Sequence, residues 1–310
     1  MIGRLARFAL TAVGSAAALT AAVGLVTTAE GLLAWERLNP TRMGSVLPRS
    51  GRFGTEAGEA IRLGVLGDSL AVGYGAEEPD MTPGALLATW LSEVSGRPVE
   101  LTNMAVIGAE STALISQLAH LREVTQPDVV VIIIGANDVM HLKRLVDALW
   151  PLSETVRDLR RTHAQAVVAT CPDLGTVRPF SQPLRFFAHW YSRVLATGQA
   201  IVVLRAGGRT VSLADTLGPL FHRDPDDMFS PRDHLHPSSI GYEQAAAVIL
   251  PSVLAAAGIE REDARTPHRI YRKDVRHPLA WWAFRASRRV GERLTAASST
   301  VTPAAGARSL

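Results

Sequence analysis

The run PDVVVIIIGAND, residues 127–138, is the feature that most constrains how this chain folds. Its centre is an uninterrupted series of β-branched residues, which favours a strand, and no polar residue alternates with them. A strand without a polar face is buried on both sides, which is typical of a parallel sheet covered by helices. The sequence therefore predicts a central parallel sheet with helices on both of its faces.

Similar but shorter apolar runs recur along the chain and alternate with helical patterns. The other predicted strands lie in the runs IRLGVLGD, PVELTNMAVIG, QAVVATCPD and RTVSLAD. Apolar residues at helical spacing predict helices over residues 110–124, 145–159, 185–206 and 240–257. The second helical pattern contains Pro151, which is expected to interrupt it. This alternation predicts an α/β domain, a three-layer α/β/α sandwich with a central, mostly parallel sheet, over residues 61–258.

The rest of the chain divides into three further segments. Residues 1–30 contain an uncharged apolar stretch of roughly 22 residues, 8–29, which is long enough to cross the ~30 Å hydrocarbon core of a bilayer. We interpret this stretch as an uncleaved signal anchor, and a cleaved signal peptide is the alternative. Residues 31–60 are predicted to be a linker rich in Gly, Pro and Arg, and residues 259–310 a basic tail that is partly disordered.

The charges that flank the apolar stretch predict where the domain resides. Arg4 and Arg7 precede the stretch, and the positive-inside rule then places the main domain outside the cytoplasm. Arg37 and Arg42 on the other flank weaken this orientation. The expected location is the cell membrane, as a single-pass protein with an extracytoplasmic domain, with secretion as the alternative.

Composition disfavours several classes of protein. The chain is 47% hydrophobic and 20% charged, which is typical of a globular domain. Its single cysteine, Cys171, excludes an intramolecular disulfide and a cysteine-based metal cluster. No helix-turn-helix, RNP or zinc-finger pattern is present, so no nucleic-acid partner is expected. The first strand is followed neither by a phosphate-binding loop nor by a dinucleotide fingerprint.

Small, polar and reactive residues are concentrated where the predicted strands end. The ends are GDS (67–69), NMAVIGAES (103–111), GAND (135–138), CPD (171–173) and AD (214–215). In sheets of this kind, ligands bind beyond the carboxyl ends of the strands. Ser69, at the first of these ends, suits either a helix N-cap or a nucleophile whose developing charge is stabilised by helix N-terminal amides.

The late segment DHLHP supplies candidate partners for a serine nucleophile. Such a serine needs a base, an acid that orients the base, and donors for the oxyanion. Asp233 and His236 are three residues apart, so a single turn can bring the acid against the imidazole, whereas His234 is expected to point elsewhere. The Gly108 N–H and the Asn137 amide are candidates for the oxyanion donors.

Taken together, these motifs resemble those of the SGNH branch of the GDSL esterases and lipases. That family has Gly-Asp-Ser after the first strand, Gly after the second, Gly-x-Asn-Asp after the third and Asp-x-x-His-Pro before the last helix. The matching residues, within roughly residues 62–257, are Ser69 in GDSL, Gly108 in NMAVIGAES, Asn137 in GAND, and Asp233 with His236 in DHLHP. Ala105 departs from the pattern, because many members have Gly there, and this puts the local turn of the second motif in doubt.

The resemblance implies a serine hydrolase that cleaves carboxylic esters, of a lipid or an O-acylated glycan, through an acyl-enzyme. It implies Ser69 as the nucleophile, His236 as the base and acid, and Asp233 as the acid that orients the histidine. The implied oxyanion hole consists of the N–H groups of Ser69 and Gly108 and the side chain of Asn137. No cofactor and no metal is implied, and the oligomeric state is not predicted.

Several alternatives stay open at the level of the sequence. The same cleft suits a noncatalytic member that binds an envelope ligand, and the same Ser-His-Asp site suits an acyltransferase. Residues 177–193, rich in Phe, Trp and Tyr, either line an acyl or sugar pocket or pack into the core. Residues 217–232 are expected to form a loop at the border of the site. The remaining histidines of the domain are expected to be ordinary loop residues: His120, His141, His163, His189 and His222.

Overall fold

The computed structural model describes residues 49–259, in which six strands form one sheet. The strands are β1 (Gly51–Phe53), β2 (Ile61–Gly67), β3 (Val99–Asn103), β4 (Val129–Ile133), β5 (Gln165–Ala169) and β6 (Arg209–Val211). Their order in the sheet is β1-β3-β2-β4-β5-β6, and β2 to β6 are mutually parallel. The predicted anchor, the first part of the predicted linker and almost all of the predicted tail lie outside the described residues.

The α-helices of the described range connect these strands or follow the last of them. They are α1 (Ser69–Val72), α2 (Pro83–Ser95), α3 (Leu114–Val124), α4 (Ala136–Met140), α5 (Leu145–Arg161), α6 (Leu184–Arg205), α7 (Leu213–Thr216), α8 (Gly218–Arg223), α9 (Pro225–Met228) and α10 (Ser239–Ala256). One apolar core lies between the sheet and helices α2 and α10, and a second lies on the opposite face against α3 and α5. The predicted α/β fold class is therefore confirmed.

Strand β4 shows why its sequence lacks a polar alternation. Val129, Val131 and Ile133 belong to the core on one face of the sheet, while Val130 and Ile132 belong to the core on the other. All five side chains are buried, because successive residues of a strand point to opposite faces and both faces are covered here.

Two elements differ from the sequence prediction. Helix α5 runs without a break through Pro151, although proline inside a helix costs about 3 kcal/mol. Burial of the apolar face that contains Leu152, Val156 and Leu159 offsets this cost. Strand β1, which pairs antiparallel with β3, lies within the predicted linker, and its three residues are too few to give a strand pattern.

Helix α10 is the one helix within residues 49–259 whose length and apolar composition match a membrane span. It packs against α2, β5 and β6 and buries Tyr242, Ile249 and Val253 in the core. Its apolar sequence is therefore explained by burial against the sheet.

The strand order fixes where a ligand site is expected. From β2 the chain moves to β3 on one side of β2, and then returns to β4 on the other side. A crevice opens at the carboxyl ends of two strands where the order reverses in this way. Ser69 follows β2 and Asn137 follows β4, so both lie at this switch point.

Candidate active site

Ser69 lies on the sharp turn between β2 and α1. Gly67 adopts a φ of 138°, and a Cβ on it would overlap the Ile133 carbonyl oxygen, so this position requires glycine. The Asp68 side chain caps α1 by accepting a hydrogen bond from the Leu70 N–H at 2.9 Å. Because α1 is a single turn, it offers its first N–H groups to a ligand but only a weak helix dipole.

A buried glutamine holds this turn in place. Gln117 accepts a hydrogen bond from the Gly67 N–H at 2.8 Å and donates one to the Gly67 carbonyl oxygen at 2.9 Å. No sequence motif singled out this residue. The available signal was a polar side chain on the buried face of α3, between Leu114 and Leu121.

The structure brings Ser69, His236 and Asp233 together at the carboxyl edge of the sheet. His236 Nε2 lies 2.9 Å from Ser69 Oγ, and His236 Nδ1 lies 2.6 Å from Asp233 Oδ2. Since a carboxylate only accepts hydrogen bonds, Nδ1 of the neutral ring bears the proton and Nε2 is free to accept the serine O–H. The arrangement has the connectivity of a Ser-His-Asp triad.

The Asp233 carboxylate is held in its charged form. Burial alone raises the pKa of this group, but the hydrogen bond and charge of His236 and the backbone N–H groups of Leu235 and His236 outweigh burial, so the pKa is lowered. Oδ1 accepts from the Leu235 N–H at 3.0 Å and from the His236 N–H at 3.1 Å. The acid is thereby fixed in place and remains an anion beside the imidazole.

The turn after α1 supports the other side of the imidazole. The ring of Tyr74 meets that of His236 edge to face, with centroids 4.7 Å apart. Gly75 adopts a φ of 101°, and a Cβ there would lie 2.7 Å from the Pro237 carbonyl oxygen and 2.9 Å from His236 Cβ. Tyr242 of α10 donates a hydrogen bond to the Tyr74 carbonyl oxygen at 2.7 Å. The turn from Gly67 to Gly75, which contains Ser69 (the nucleophile turn), and the segment from Asp233 to Pro237 (the histidine segment) are therefore packed directly against each other.

His234 occupies a different environment. It is exposed, it has a left-handed φ of 50°, and its N–H donates to the Ser230 carbonyl oxygen at 2.9 Å. The hydrogen bonds to Ser69 and Asp233 are made by His236 instead.

Gly108 lies on the loop that follows β3. It has a φ of 79°, and a Cβ there would meet no atom within 4 Å, so the backbone conformation rather than space favours glycine. Ala105, the departure from the family pattern, donates its N–H to Asn103 Oδ1 at 2.9 Å, and this side-chain turn shapes the start of the loop. Asn103 also donates to the Ala71 carbonyl oxygen at 3.0 Å, which ties the loop to α1.

Asn137 lies in the first turn of α4. Its Nδ2 donates one hydrogen bond, to the Ala109 carbonyl oxygen at 3.0 Å, and the second N–H of the amide remains for a ligand. Asp138 anchors the same turn by accepting hydrogen bonds from the Ser111 hydroxyl at 2.8 Å and the Ser111 N–H. Within residues 49–259 the backbone N–H groups of Ser69 and Gly108 have no protein acceptor.

Ser69, Gly108, Asn137 and His236 line one cleft with a volume of about 170 Å³. Most other side chains in its wall are apolar: Leu70, Pro83, Ile107, Ile133, Met140, Leu174, Val177, Leu213, Leu217, Phe221, Phe229 and Leu235. The wall includes residues of the predicted 217–232 loop, which forms short helices instead of an open loop.

The aromatic stretch 177–193 has no single role. Val177 lines the cleft and Phe180 is buried in the core, whereas Phe186 and Phe187 are exposed at the start of α6. Both interpretations of this stretch are therefore incomplete.

Comparison with known proteins identifies the family. The model of the GDSL-like lipase/acylhydrolase family matches residues 65–244. This chain belongs to the GDSL-like lipase/acylhydrolase family. It is also 38% identical over 215 residues to a GDSL-like esterase of Mycobacterium tuberculosis, a match that covers 68% of each chain. The predicted family and the predicted enzyme class, a carboxylic ester hydrolase, are confirmed at this level.

Two solved structures are similar to this GDSL-family chain. The crystal structure of TesA matches with a TM-score of 0.50 and 19% identity, over 63% of this chain and 99% of that one. The esterase EstA from a Pseudoalteromonas species matches with a TM-score of 0.49 and 19% identity, over 63% of this chain and 97% of that one. At this level of identity the likeness to TesA shows a common fold.

Two buried carboxyl groups lie beneath this GDSL-family site. Complete burial, with a smaller contribution from the nearby Asp138, raises the pKa of Asp68 to about 7, against the lowering effects of the Leu70 N–H and of His236. Oδ2 of Asp68 has no hydrogen bond of normal geometry, although the Gly135 N–H contributes a weak favourable interaction. Burial likewise raises the pKa of Asp138. Both groups have structural roles: Asp68 caps α1, and Asp138 anchors the first turn of α4 through Ser111.

A second glutamine braces the strands on the other side of the switch point. Gln199 of α6 accepts from the Cys171 N–H at 2.7 Å and donates to the Ile134 carbonyl oxygen at 3.0 Å. It thereby joins the ends of β5 and β4 next to Gly135. This residue was also missed, although it lies on the buried face of α6 beside Leu195 and Val203.

The expectation of loop residues was wrong for His120, His189 and His222, which lie on helices, whereas His141 and His163 are exposed turn residues, as expected. His141 Nδ1 lies 2.8 Å from Glu110, and His189, on α6, lies 2.8 Å from Asp173 at the cleft wall. These two histidines thus each contact a carboxylate. Among residues 49–259, no three His, Cys, Asp or Glu side chains are grouped as a metal site requires.

Proposed function

We propose that this protein hydrolyses a carboxylic ester through an acyl-enzyme formed on Ser69. The observation that supports this most directly is the continuous hydrogen-bonded series from Ser69 through His236 to Asp233, at the wall of an apolar cleft. In the first step Ser69 Oγ attacks the ester carbonyl while His236 Nε2 accepts its proton. The protonated histidine then gives that proton to the leaving alcohol, and water releases the acid by the same route.

The oxyanion of the tetrahedral intermediate is proposed to bind three donors. These are the Ser69 and Gly108 N–H groups, which have no protein acceptor within residues 49–259, and the second N–H of the Asn137 amide. The hydrogen bond to Ala109 fixes the orientation of that amide, so the donor is in place before charge develops. Asp233 stabilises the imidazolium that forms in the same step.

The cleft wall supports an ester with an apolar acyl group as the substrate. Of the two expected classes, lipids and O-acylated glycans, a lipid acyl chain suits the wall better, because side chains such as Leu217, Phe221 and Phe229 offer it no hydrogen bond.

We further propose that the domain is tethered to the outer face of the cell membrane by residues 8–29. The support is the sequence: an uncharged stretch long enough to span a bilayer, preceded by Arg4 and Arg7. Membrane fractionation, followed by intact-mass analysis of the purified chain, tests this proposal. A soluble product lacking the first residues would indicate a cleaved signal instead.

The test of the chemistry compares the two neighbouring histidines. We expect His236→Ala and Ser69→Ala to lower the hydrolysis of p-nitrophenyl esters on the order of 10⁴-fold or more, since each removes a member of the triad. His234→Asn is the matched control, because asparagine tolerates the left-handed φ of this position, and it should change the rate only modestly. The reverse ranking of the two histidine variants would show that the catalytic base is assigned wrongly.

A second measurement examines the covalent intermediate. A fluorophosphonate should label Ser69, and mass spectrometry after a brief exposure to substrate should find the acyl group on the peptide that contains it. Neither adduct should form in the Ser69→Ala variant. Hydrolysis that continues without any adduct on Ser69 would refute the acyl-enzyme mechanism.

A further inference from the structure

We propose that the rim of the active-site cleft docks onto a lipid bilayer and presents the cleft to esters in that surface. This inference rests on the proposed function and adds the partner and the orientation. The apolar rim is defined as five exposed side chains: Val106, Leu142, Val146, Phe186 and Phe187. Each is between 46% and 77% exposed.

The rim lies toward the edge of the sheet that bears the cleft, because all of its members follow the carboxyl ends of parallel strands. Val106 lies on the loop after β3, Leu142 and Val146 lie after β4, and the two phenylalanines lie after β5. These strands end at the same edge of the sheet as β2, which precedes Ser69. Ile107, the neighbour of Val106, lines the cleft itself and is 38% exposed. A rim residue and a residue of the cleft wall are thus adjacent in the sequence.

Leu142 is held outward at a conformational cost. It has a left-handed φ of 51° and is 77% exposed, and both properties are unusual for a leucine. The hydrogen bonds from the Leu142 N–H to the Val139 carbonyl oxygen and from the Lys143 N–H to the Asp138 carbonyl oxygen fix this turn. An apolar side chain in a strained and exposed position is expected where it contacts a partner.

The phenylalanines lie on a helix that extends beyond its neighbour. Gly198 of α6 packs against Leu149, in the second turn of α5. Fourteen residues of α6 precede Gly198, whereas only four residues of α5 precede Leu149, so the start of α6 extends beyond the start of α5. Phe186 meets Phe187 and Trp190 with ring centroids 5.8 and 6.1 Å apart. These rings form an aromatic cluster, a common feature of proteins that contact the interface of a bilayer.

The path of the chain points to a bilayer as the partner. Strand β1 runs antiparallel to β3, so the described chain begins at the carboxyl edge, where the Asn103 N–H donates to Ser50 Oγ and Arg49 pairs with Asp80. The segment proposed to cross the membrane, 8–29, precedes this point in the sequence. The other end of the described chain lies at the opposite edge, where Arg209, the first residue of β6, donates to the Ala255 carbonyl oxygen.

The tether alone does not orient the domain. Residues 31–48 span at most about 3.3–3.6 Å each, so a fully extended linker reaches roughly 60 Å. A tether of this length keeps the domain near the bilayer at high effective concentration, and the apolar rim then selects the orientation. Three basic residues adjoin the rim in sequence: Lys143, which pairs with Glu110, Arg144, which pairs with Asp147, and Arg185, which donates to the Arg178 carbonyl oxygen. The N–H groups that these contacts leave over suit the phosphate headgroups of such a surface.

The docking test uses the full-length chain in vesicles of phosphatidylcholine and phosphatidylglycerol. Because Cys171 is fully buried, an environment-sensitive fluorophore can be attached selectively to Phe186→Cys. Val124→Cys is the matched control, since Val124 is 65% exposed and lies at the end of α3, at the opposite edge. We expect the probe at position 186 to shift to the blue and to be quenched by brominated lipids, with neither effect at position 124. Equal responses at both positions, or none at 186, would overturn the proposal.

A kinetic test separates docking from chemistry. Phe186→Ser with Phe187→Ser should lower the hydrolysis of an ester embedded in vesicles about tenfold or more, because two large apolar contacts are lost. Hydrolysis of a soluble p-nitrophenyl ester should not change, since neither residue lines the cleft. The double variant Val124→Ser with Ile201→Ser should affect neither reaction, since Ile201 is also exposed and lies near the end of α6, away from the rim. Equal loss in the soluble assay contradicts docking, whereas an inactive wild-type chain in that assay contradicts the proposed function instead.

Discussion

Asp68 is a carboxyl group directly beside the nucleophile, with no exposure to solvent. Burial raises its pKa from a usual value near 3.8 to about 7. Between these values the folded protein binds a proton that the unfolded chain does not bind. The free energy of unfolding therefore decreases as the pH rises through this window, because ionising a buried carboxyl group opposes folding.

The substitution Asp68→Asn is expected to remove this contribution. Asparagine keeps the N-cap of α1 but does not ionise. Between about pH 5 and about pH 7.5, the variant should lose less free energy of unfolding than the wild type, as measured by chemical denaturation. Asp138 and Asp233 are present in both proteins, so the difference between the two curves reports Asp68 together with its interactions with Asp138 and His236. An identical pH dependence in both proteins would show that Asp68 is ionised throughout.

Asn137 is expected to act only while charge develops on the substrate. Asn137→Ala should lower kcat by about 10²–10³-fold and leave KM nearly unchanged, because the amide donates to the oxyanion and not to the ground-state ester. Steady-state kinetics with a soluble ester, together with the thermal unfolding temperature, measures both effects. An increase in KM alone would instead indicate a residue that binds the ground state.

For individual residues, the sequence was sufficient to propose a role when the side chain belongs to one of several motifs that follow one another in a fixed order along the chain. Ser69 was proposed from its position at a strand end, and Asp233 and His236 from the segment DHLHP. The structure places the three side chains within hydrogen-bond distance. Gln117 and Gln199 were missed because their contacts are with backbone atoms of distant strands. Spacing along one helix indicates that such a residue is buried, but not which strand ends it joins.

The packing of the nucleophile turn against the histidine segment can be tested with two glycines. Gly75→Ala would place a Cβ 2.7 Å from the Pro237 carbonyl oxygen and 2.9 Å from His236 Cβ. Since backbone must move to accept it, we expect the hydrolysis of a soluble ester to fall by about tenfold or more, through displacement of the imidazole. The unfolding temperature should fall as well.

Gly96→Ala is the control for this substitution. Gly96 ends α2 with a φ of 63°, and a Cβ there would meet no atom within 4 Å. The cost is then only that of the left-handed conformation, about 1–2 kcal/mol, with no effect on kcat. A Gly75→Ala variant with normal kcat would show that the His236 segment adjusts without losing its position.

The elements differ in how well their sequences predict them. Strand β4 was evident because burial on both faces removes any polar alternation. Helix α2 was not predicted, since most of PGALLATWLSEVS is buried and its apolar residues show no clear helical period. Helix α5 was expected to break at Pro151, but tertiary packing of its apolar face outweighs the local preference. Local sequence patterns therefore do not predict a helix correctly when its tertiary contacts, rather than its own residues, determine its conformation.

For the whole molecule, Cys171 reports whether the core is intact. It is the only cysteine in the chain, it has no exposure, and burial raises its pKa well above the usual value. Its backbone N–H donates a hydrogen bond to Gln199 Oε1, next to the strand ends that support the site. A thiol reagent should therefore not react with the native protein.

In increasing denaturant, labelling of Cys171 should appear at the same midpoint as the loss of ester hydrolysis and of helical circular dichroism. This coincidence is expected because the site and both cores share one sheet, and a single cooperative domain unfolds in one transition. Labelling at lower denaturant than the loss of activity would show that α6 detaches from the sheet locally.

The separation of the catalytic partners along the chain also determines when activity first exists. Ser69 precedes His236 by 167 residues, and α10, which holds the Tyr74 turn against the histidine segment, comes later still. At about 5–20 residues per second, the ribosome needs roughly 8–33 s to pass from one to the other. Throughout that interval the nascent chain has a serine without its base. Hydrolysis is therefore expected to begin only after the segment that contains His236 and α10 has been synthesised and has folded against the turn that contains Ser69.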